Sequence, residues 1–444
     1  MTGRAFLGLG AAAVALLLAL VIWARVPAFI ALIIVALTTA VASGIPLDES
    51  VGVVTGGIGK TLGSVIVVVG LGAMLGRIIE VSGGADALAR YFTQRFGKRR
   101  VVAAVTAAAF ILGSPVFFDV GFIILAPIIF GFARTAGFNP LKIGLPVGAT
   151  LLTVHVVLPP HPGPVATAEI LGAELGTVLA VGIPLAALTA VIGFFLAKLL
   201  RTDGVELLES PATEVPEEVK NPPSPWVVMG LIALPIVQIL VGTAGVILTE
   251  EGTTAHGLVS FLGSAPVALL TAVLVAWAVI GGQRGWSLEH GSGVLDSSLP
   301  AVAVIIFVTG AGGGFASVLT ESGIGQVLSD LLTEAHMPVL LTGYLLSLAL
   351  RGAQGSATVA MLTTAGLLAA PIASGAFGAL DTALICVAIG FGALGLSHIN
   401  DSGFWIVTRY LGLSVKEGLK RWTLLSTVFS LVGFAATAAV YVVV

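Results

Sequence analysis

The 444-residue sequence predicts an all-α polytopic membrane protein made of two halves of inverted topology. Three observations predict it. The chain is 57% hydrophobic and only 10% charged, where soluble domains carry about 25% charged residues. Apolar segments recur from end to end with a mean hydropathy of +1.09, so much of the surface must face lipid. The chain also holds 57 glycines and 21 prolines, too many for a set of uninterrupted helices. The same composition excludes several classes. A net charge of −3 does not suit a basic nucleic-acid binder. The single cysteine, Cys386, excludes an intrachain disulfide framework and a multi-cysteine metal site. The six histidines are scattered and no HExxH occurs.

The polar breaks set the expected elements. Spans are predicted over Phe6–Trp23, Pro27–Ser43 and Thr61–Glu80. Arg4 precedes the first apolar run, which is longer than a usual signal-peptide core and is read as a retained helix. An amphipathic stretch, Ser82–Arg100, follows. Residues 101–133 are interrupted at Gly113-Ser114-Pro115 and by Asp119; residues 141–171 are interrupted by four prolines between Pro159 and Pro164. Leu175–Leu200 completes the first half, residues 1–200. Residues 201–225 hold six acidic residues and five prolines and read as a cytoplasmic linker. The second half, 226–444, repeats the plan. Its spans are Trp226–Thr249, His256–Gly282 and Leu299–Leu319. Residues 338–374 are broken at Arg351–Ser356, residues 381–411 at Ser397–Gly403, and Trp422–Val444 closes the chain. Trp23, Trp226, Trp286, Trp405 and Trp422 fall near span ends, as interface anchors do.

An internal repeat supports this division. Gly70–Leu88 aligns without a gap to Gly310–Leu328, with Gly70/Gly310, Gly72/Gly312, Ser82/Ser322, Gly83/Gly323 and Leu88/Leu328 identical. Breaks at Gly113-Ser114 and Gly355-Ser356, and breaks ending at Gly163 and Gly403, lie at matching places. Lys and Arg favour cytoplasmic loops. Arg90–Arg100 and Arg134/Lys142 put both flanks of residues 101–133 inside, so this segment is a re-entrant hairpin. Residues 338–374 lack basic flanks and form a hairpin entering from outside. Each half then has five spans and one hairpin, an odd count that inverts the second half and puts both termini outside. Arg4 and Lys60 are the exceptions to the charge rule.

Paired interruptions in two halves are the best sequence pointer to a transporter binding site. Irregular backbone survives at membrane depth only where protein buries it or it lines an aqueous cavity. A charge at that depth costs about 2.5 kcal/mol or more, so each needs a reason. "GSPVFFDVG" offers Ser114 and Asp119, the latter as a proton or cation site or as a helix cap. "HVVLPPHPGPV" offers His161 and Gly163, with His155 read as a packed histidine. "LRGAQGSATVAM" offers Arg351, Gln354, Gly355, Ser356 and Thr358; Arg351 is either the counter-charge of a carboxylate substrate or the partner of Asp119 or Asp401. "LSHINDSGFW" offers Ser397, His398, Asn400, Asp401 and Ser402, the densest polar cluster in an apolar segment; Asp401 with His398 is the first candidate for the protonatable group. "GGIGKT" at Gly56–Thr61 is no phosphate loop, because Val54 stands where the first glycine is required. "TESG" at Thr320–Gly323 reads as a helix end.

At "SPVFFDVGF", "LPPHPGPVA", "GAGGGFASVLTESGIG", "RGAQGSATVAM" and "SHINDSGFW" the chain resembles the gluconate:proton symporter (gluconate permease) family, over essentially its whole length. The resemblance implies a proton-coupled importer of gluconate or another small hydroxy or amino acid in the bacterial cytoplasmic (inner) membrane. It also implies the ion-transporter superfamily design of inverted repeats, two hairpins and a homodimeric elevator, with no cofactor and no nucleic-acid partner. In the expected cycle a proton neutralises Asp401 or Asp119, with His398 close by. The substrate carboxylate then meets Arg351 and backbone amides, and Ser114, Ser356, Asn400 and Ser402 read its hydroxyls. Na⁺ coupling and another family substrate such as D-serine stay open. The remote alternatives are a channel and an intramembrane hydrolase using His398 and Ser402.

Overall fold

The computed structural model describes residues 3–113, 117–137, 139–159, 161–202, 204–208, 219, 221–323, 337–374 and 377–443. Every regular element among them is helical. In the first half these are α1 (Gly3–Ile22), α2 (Ala28–Ser43), α3 (Leu47–Val81), α4 (Gly84–Phe96), α5 (Lys98–Gly113), α6 (Phe118–Ala136), α7 (Leu141–Val157), α8 (Pro162–Leu171) and α9 (Leu175–Ala197). In the second half they are α10 (Pro225–Leu248), α11 (Thr254–Gly263), α12 (Ala265–Ala276), α13 (Leu288–Asp296), α14 (Leu299–Glu321), α15 (Val339–Gln354), α16 (Ala357–Ser374), α17 (Ala379–Leu394), α18 (Ser402–Tyr410) and α19 (Val415–Val443). Helix α12 runs on to Arg284 and α19 starts through a π turn at Leu419–Thr423. Among the described residues six helices are long and apolar enough to cross a membrane, or seven when the bent pair within α3 counts as one span.

The two longest interior helices, α3 and α14, form the axis. They touch backbone to backbone: a Cβ on Gly57 would lie 2.6 Å from the Gly313 carbonyl, so only glycine allows this approach. Helix α2 packs on α14, and α12 packs on α3. Around this axis α5 packs on α7 and α7 on α9, as α15 packs on α17 and α17 on α19. The interrupted elements lie inside: α6 and the α7–α8 span are almost wholly buried, whereas α9, α10, α12 and α19 leave more than half of their length uncovered. The uncovered faces carry Ile183, Val191, Phe195, Val241 and Leu274, which fit hydrocarbon.

The repeated block ends in matching geometry. Helix α3 stops at Val81 and α14 at Glu321; Ser82 Oγ donates to Ile79 O at 2.9 Å and Ser322 Oγ to Leu319 O at 3.0 Å. Gly83 and Gly323 then take left-handed φ values of 74° and 75°, where glycine is the default residue. The expected helix end at Thr320–Gly323 is thus present.

Three elements differ from expectation. The span predicted from Thr61 is the second part of a 35-residue helix, α3. At 1.5 Å per residue this is about 52 Å, longer than a hydrocarbon core of about 30 Å. Hydropathy missed its first part because Asp48, Glu49 and Lys60 lie on it. The predicted span His256–Gly282 breaks at Ser264, whose ψ is 141°. Pro266 cannot donate to Leu262 O, and Gln238 Nε2 takes that role at 2.7 Å. Finally, Trp405 and Trp422 are buried rather than interfacial: Trp405 Nε1 donates to Ile399 O at 2.6 Å and Trp422 Nε1 to Ser397 Oγ at 2.7 Å. Trp23 and Trp226 are exposed, as anchors should be.

Candidate functional site

The chain turns between α15 and α16. Gly355 ends α15 with φ +78°, and a Cβ there would lie 2.2 Å from the Asn400 carbonyl. The turn leaves the last carbonyls of α15 without helical partners. Segment 397–403 supplies them. Asn400 Nδ2 donates to Gly352 O at 3.0 Å and Ala353 O at 2.8 Å, and His398 Nε2 donates to Gly352 O at 2.7 Å. Much of the polar cluster therefore stitches the broken span to the hairpin tip. His398 Nε2 is taken by that contact and its Nδ1 has no hydrogen-bond partner among the described residues, so His398 and Ser402 are not hydrogen-bonded as a base and nucleophile pair.

Asp401 caps α18, accepting from Gly403 N at 3.1 Å and Phe404 N at 3.3 Å. Ser397 Oγ donates to the same carboxylate. Arg351 Nη2 meets it at 2.5 Å, and Arg351 Nη1 donates to Gly355 O. Arg351 and Asp401 are only 2% and 3% exposed. Of the two partners open to Arg351 from sequence, Asp401 is the one it takes. A buried charge needs such a partner, because alone it would cost several kcal/mol of desolvation, roughly.

In the first half, Asp119 stands in the first turn of α6. It makes no hydrogen bond among the described residues and lines the cavity, so it is not the side-chain cap of α6. Ser114 lies outside the described residues. His161 precedes α8, and its Nε2 lies 2.8 Å from Gly113 O, so the broken span holds the end of α5 here too. His155, read as merely packed, has Nδ1 3.2 Å from His161 Nδ1 and lines the cavity. Gly163 packs on the second half: a Cβ there would meet Met361 Sδ at 3.0 Å.

The two halves meet at one cavity of about 900 Å³. It brings together Asp119, His161, Arg351, Gln354, Gly355, Ser356, Thr358, Asn400, Asp401 and Ser402. Gly163 and His398 stand behind its wall, in contact with Thr358 and Gly352. The first turns of α6, α8, α16 and α18 all reach it, through Phe118, Pro162, Ala357 and Ser402. A helix N-terminus presents amides without carbonyl partners and a partial positive charge. Four such ends direct their dipoles at one cavity and suit an organic anion; Asp401 already takes the free amides of α18 and α8 begins Pro-Gly-Pro, so the open amides are chiefly those of α6 and α16. Sequence reading missed Lys60, Thr61, Glu321 and the Ser264–Pro266 break, which also line it. Proline after a short polar residue was the available signal for the last.

The GntP family permease profile matches residues 6–443. The chain is 48% identical to the inner membrane permease YgbN of Escherichia coli (strain K12), over 98% of each chain. It is 38% identical to a gluconate permease of Pseudomonas aeruginosa, over 92% of this chain and 91% of that one. It is 35% identical to the Gnt-II system L-idonate transporter of Escherichia coli (strain K12), over 97% and 98%. This multi-pass protein of the bacterial inner membrane is a permease rather than an enzyme, and it belongs to the GntP permease family.

Proposed function

We propose that the protein imports gluconate or a closely related hydroxycarboxylate together with a proton. The carrying observation is the convergence of four half-helix N-termini and Arg351 on one cavity shared by both halves. Relatives named for gluconate and L-idonate agree with such a substrate. The carboxylate is held by first-turn amides, with Ser356, Thr358 and Ser402 beside it to meet hydroxyls. Arg351, neutralised by Asp401, holds the α15 end and the α18 cap in place beside the site. Asn400 and His398 hold the tip in shape.

The proton is assigned to Asp119. Protonating Asp401 would strip Arg351 of its partner and weaken the α18 cap, whereas Asp119 can change charge without breaking a hydrogen bond or ion pair among the described residues. Asp119→Asn should abolish concentrative uptake while counterflow exchange persists. Exchange lost together with uptake, in a protein that still binds gluconate, rejects this assignment.

The inverted-repeat elevator is part of the proposal, with repeats 1–200 and 226–444 joined by linker 201–225 and assembled as a homodimer. The matched ends of α3 and α14 and the paired packing of α2 and α12 support the repeat. Both termini lie outside; a C-terminal reporter active only in the cytoplasm should stay silent. The substrate reading is tested by uptake into proteoliposomes. Gluconate should accumulate uphill under an inward pH gradient and leave when the gradient is collapsed. Accumulation that follows a Na⁺ gradient instead rejects proton coupling, and flux without accumulation indicates a channel.

A further inference from the structure

The cycle above leaves the first-half histidine pair unused. His161 Nε2 lies 2.8 Å from the carbonyl of Gly113, an oxygen that can only accept, so Nε2 carries the proton. In the uncharged ring His161 Nδ1 is then an acceptor. It faces His155 Nδ1 at 3.2 Å, so His155 Nδ1 must donate. His155 is thereby fixed as the Nδ1–H tautomer, with a lone pair on Nε2. Among the described residues no protein donor reaches that nitrogen. The ring lines the cavity, and Phe117 flanks both imidazoles with centroids 6.0 Å away.

This nitrogen differs from the rest of the anion site. The half-helix amides are donors, suited to a carboxylate. A carboxylate offers no hydrogen to His155 Nε2, but a hydroxyl does. We infer that His155 is a specificity-determining residue whose Nε2 accepts a hydrogen bond from one substrate hydroxyl, and that His161 is a positioning residue which fixes its tautomer through Gly113. The inference rests on the hydroxycarboxylate reading above. It explains how a substrate with oxygen at every carbon is held in one orientation: the carboxylate goes to the donors, one hydroxyl to the histidine.

The test is competition of gluconate and its single-deoxy analogues against labelled gluconate on the full-length purified protein. On the wild type, one analogue should compete roughly tenfold more weakly than gluconate, the size of one lost hydrogen bond. His155→Phe should weaken gluconate by a similar factor and bind gluconate and that analogue equally. His155→Gln keeps an acceptor oxygen and should keep the discrimination. His161→Phe releases the tautomer and should reduce discrimination at the same hydroxyl only. Discrimination unchanged in His155→Phe overturns the inference; if that variant does not fold, His155→Met removes the acceptor and is read in the same way. A wild type that binds no hydroxylated carboxylate overturns the functional reading itself, before any variant is compared.

Discussion

Asp401 is asked to do three things at once: cap α18, receive Ser397 and neutralise Arg351. Removing one partner of a buried ion pair costs about 3–5 kcal/mol, because the other charge is left uncompensated. Asp401→Asn should therefore lower the thermal midpoint strongly and abolish uptake. Arg351→Gln should do the same. Thermal unfolding of the double variant should recover part of the loss, since the two sites couple directly. Equal midpoints for Asp401→Asn and wild type would show that the pair is not structural. Both residues were legible in the sequence as expensive charges in apolar segments. Their pairing was not, because 50 positions separate them and only the fold brings them within reach. The same limit hid the work of Asn400, whose partners are carbonyls freed by another element's break.

At the scale of elements, the hairpin tips depend on residues without side chains. Gly355 has φ +78° and no room for a Cβ beside the Asn400 carbonyl. The left-handed conformation costs a residue with a Cβ about 1–2 kcal/mol, and the clash with backbone adds to it. Gly355→Ala should abolish uptake and lower the thermal midpoint. Gly163→Ala should be milder, because its Cβ would meet the flexible end of Met361. Uptake by Gly355→Ala near the wild-type rate would contradict the tip geometry. The break at Ser264 makes a parallel claim. Gln238→Leu removes the donor to Leu262 O and should lower the thermal midpoint, because a carbonyl facing lipid has no water to replace that donor. Four of the breaks were legible because glycine and proline cluster there with polar residues. The fifth rests on one proline in an apolar run. The first part of α3 was missed because a helix lining a cavity need not be apolar.

Across the whole molecule, two matching helix ends sit in unequal surroundings. At the end of α14, Thr320 and Glu321 are exposed and line the cavity. At the matching end of α3, Glu80 and Ser82 are buried, Arg284 Nη2 donates to Ser82 O at 3.0 Å, and Val219 and Pro222 lie against Gly83. The α14 end opens on the cavity, and the α3 end is packed shut. On the proposed topology the α14 end faces outside, so an impermeant thiol reagent should label Glu321→Cys from outside and leave Ser82→Cys unlabelled. A repeat in the sequence is symmetric and cannot announce which end is open; that asymmetry belongs to the packing. The membrane class and the broken interior were legible, since lipid and helix-breakers leave compositional marks. The central claim is that both halves build one substrate site. Phe117 from the first half and Thr358 from the second both line the cavity, and the native Cys386 is buried, so single cysteines at either position can be read cleanly. The direct measurement is the rate of thiol labelling of Phe117→Cys and of Thr358→Cys as gluconate is titrated. The account predicts protection of both, with the same half-saturating concentration; protection of one alone would contradict it.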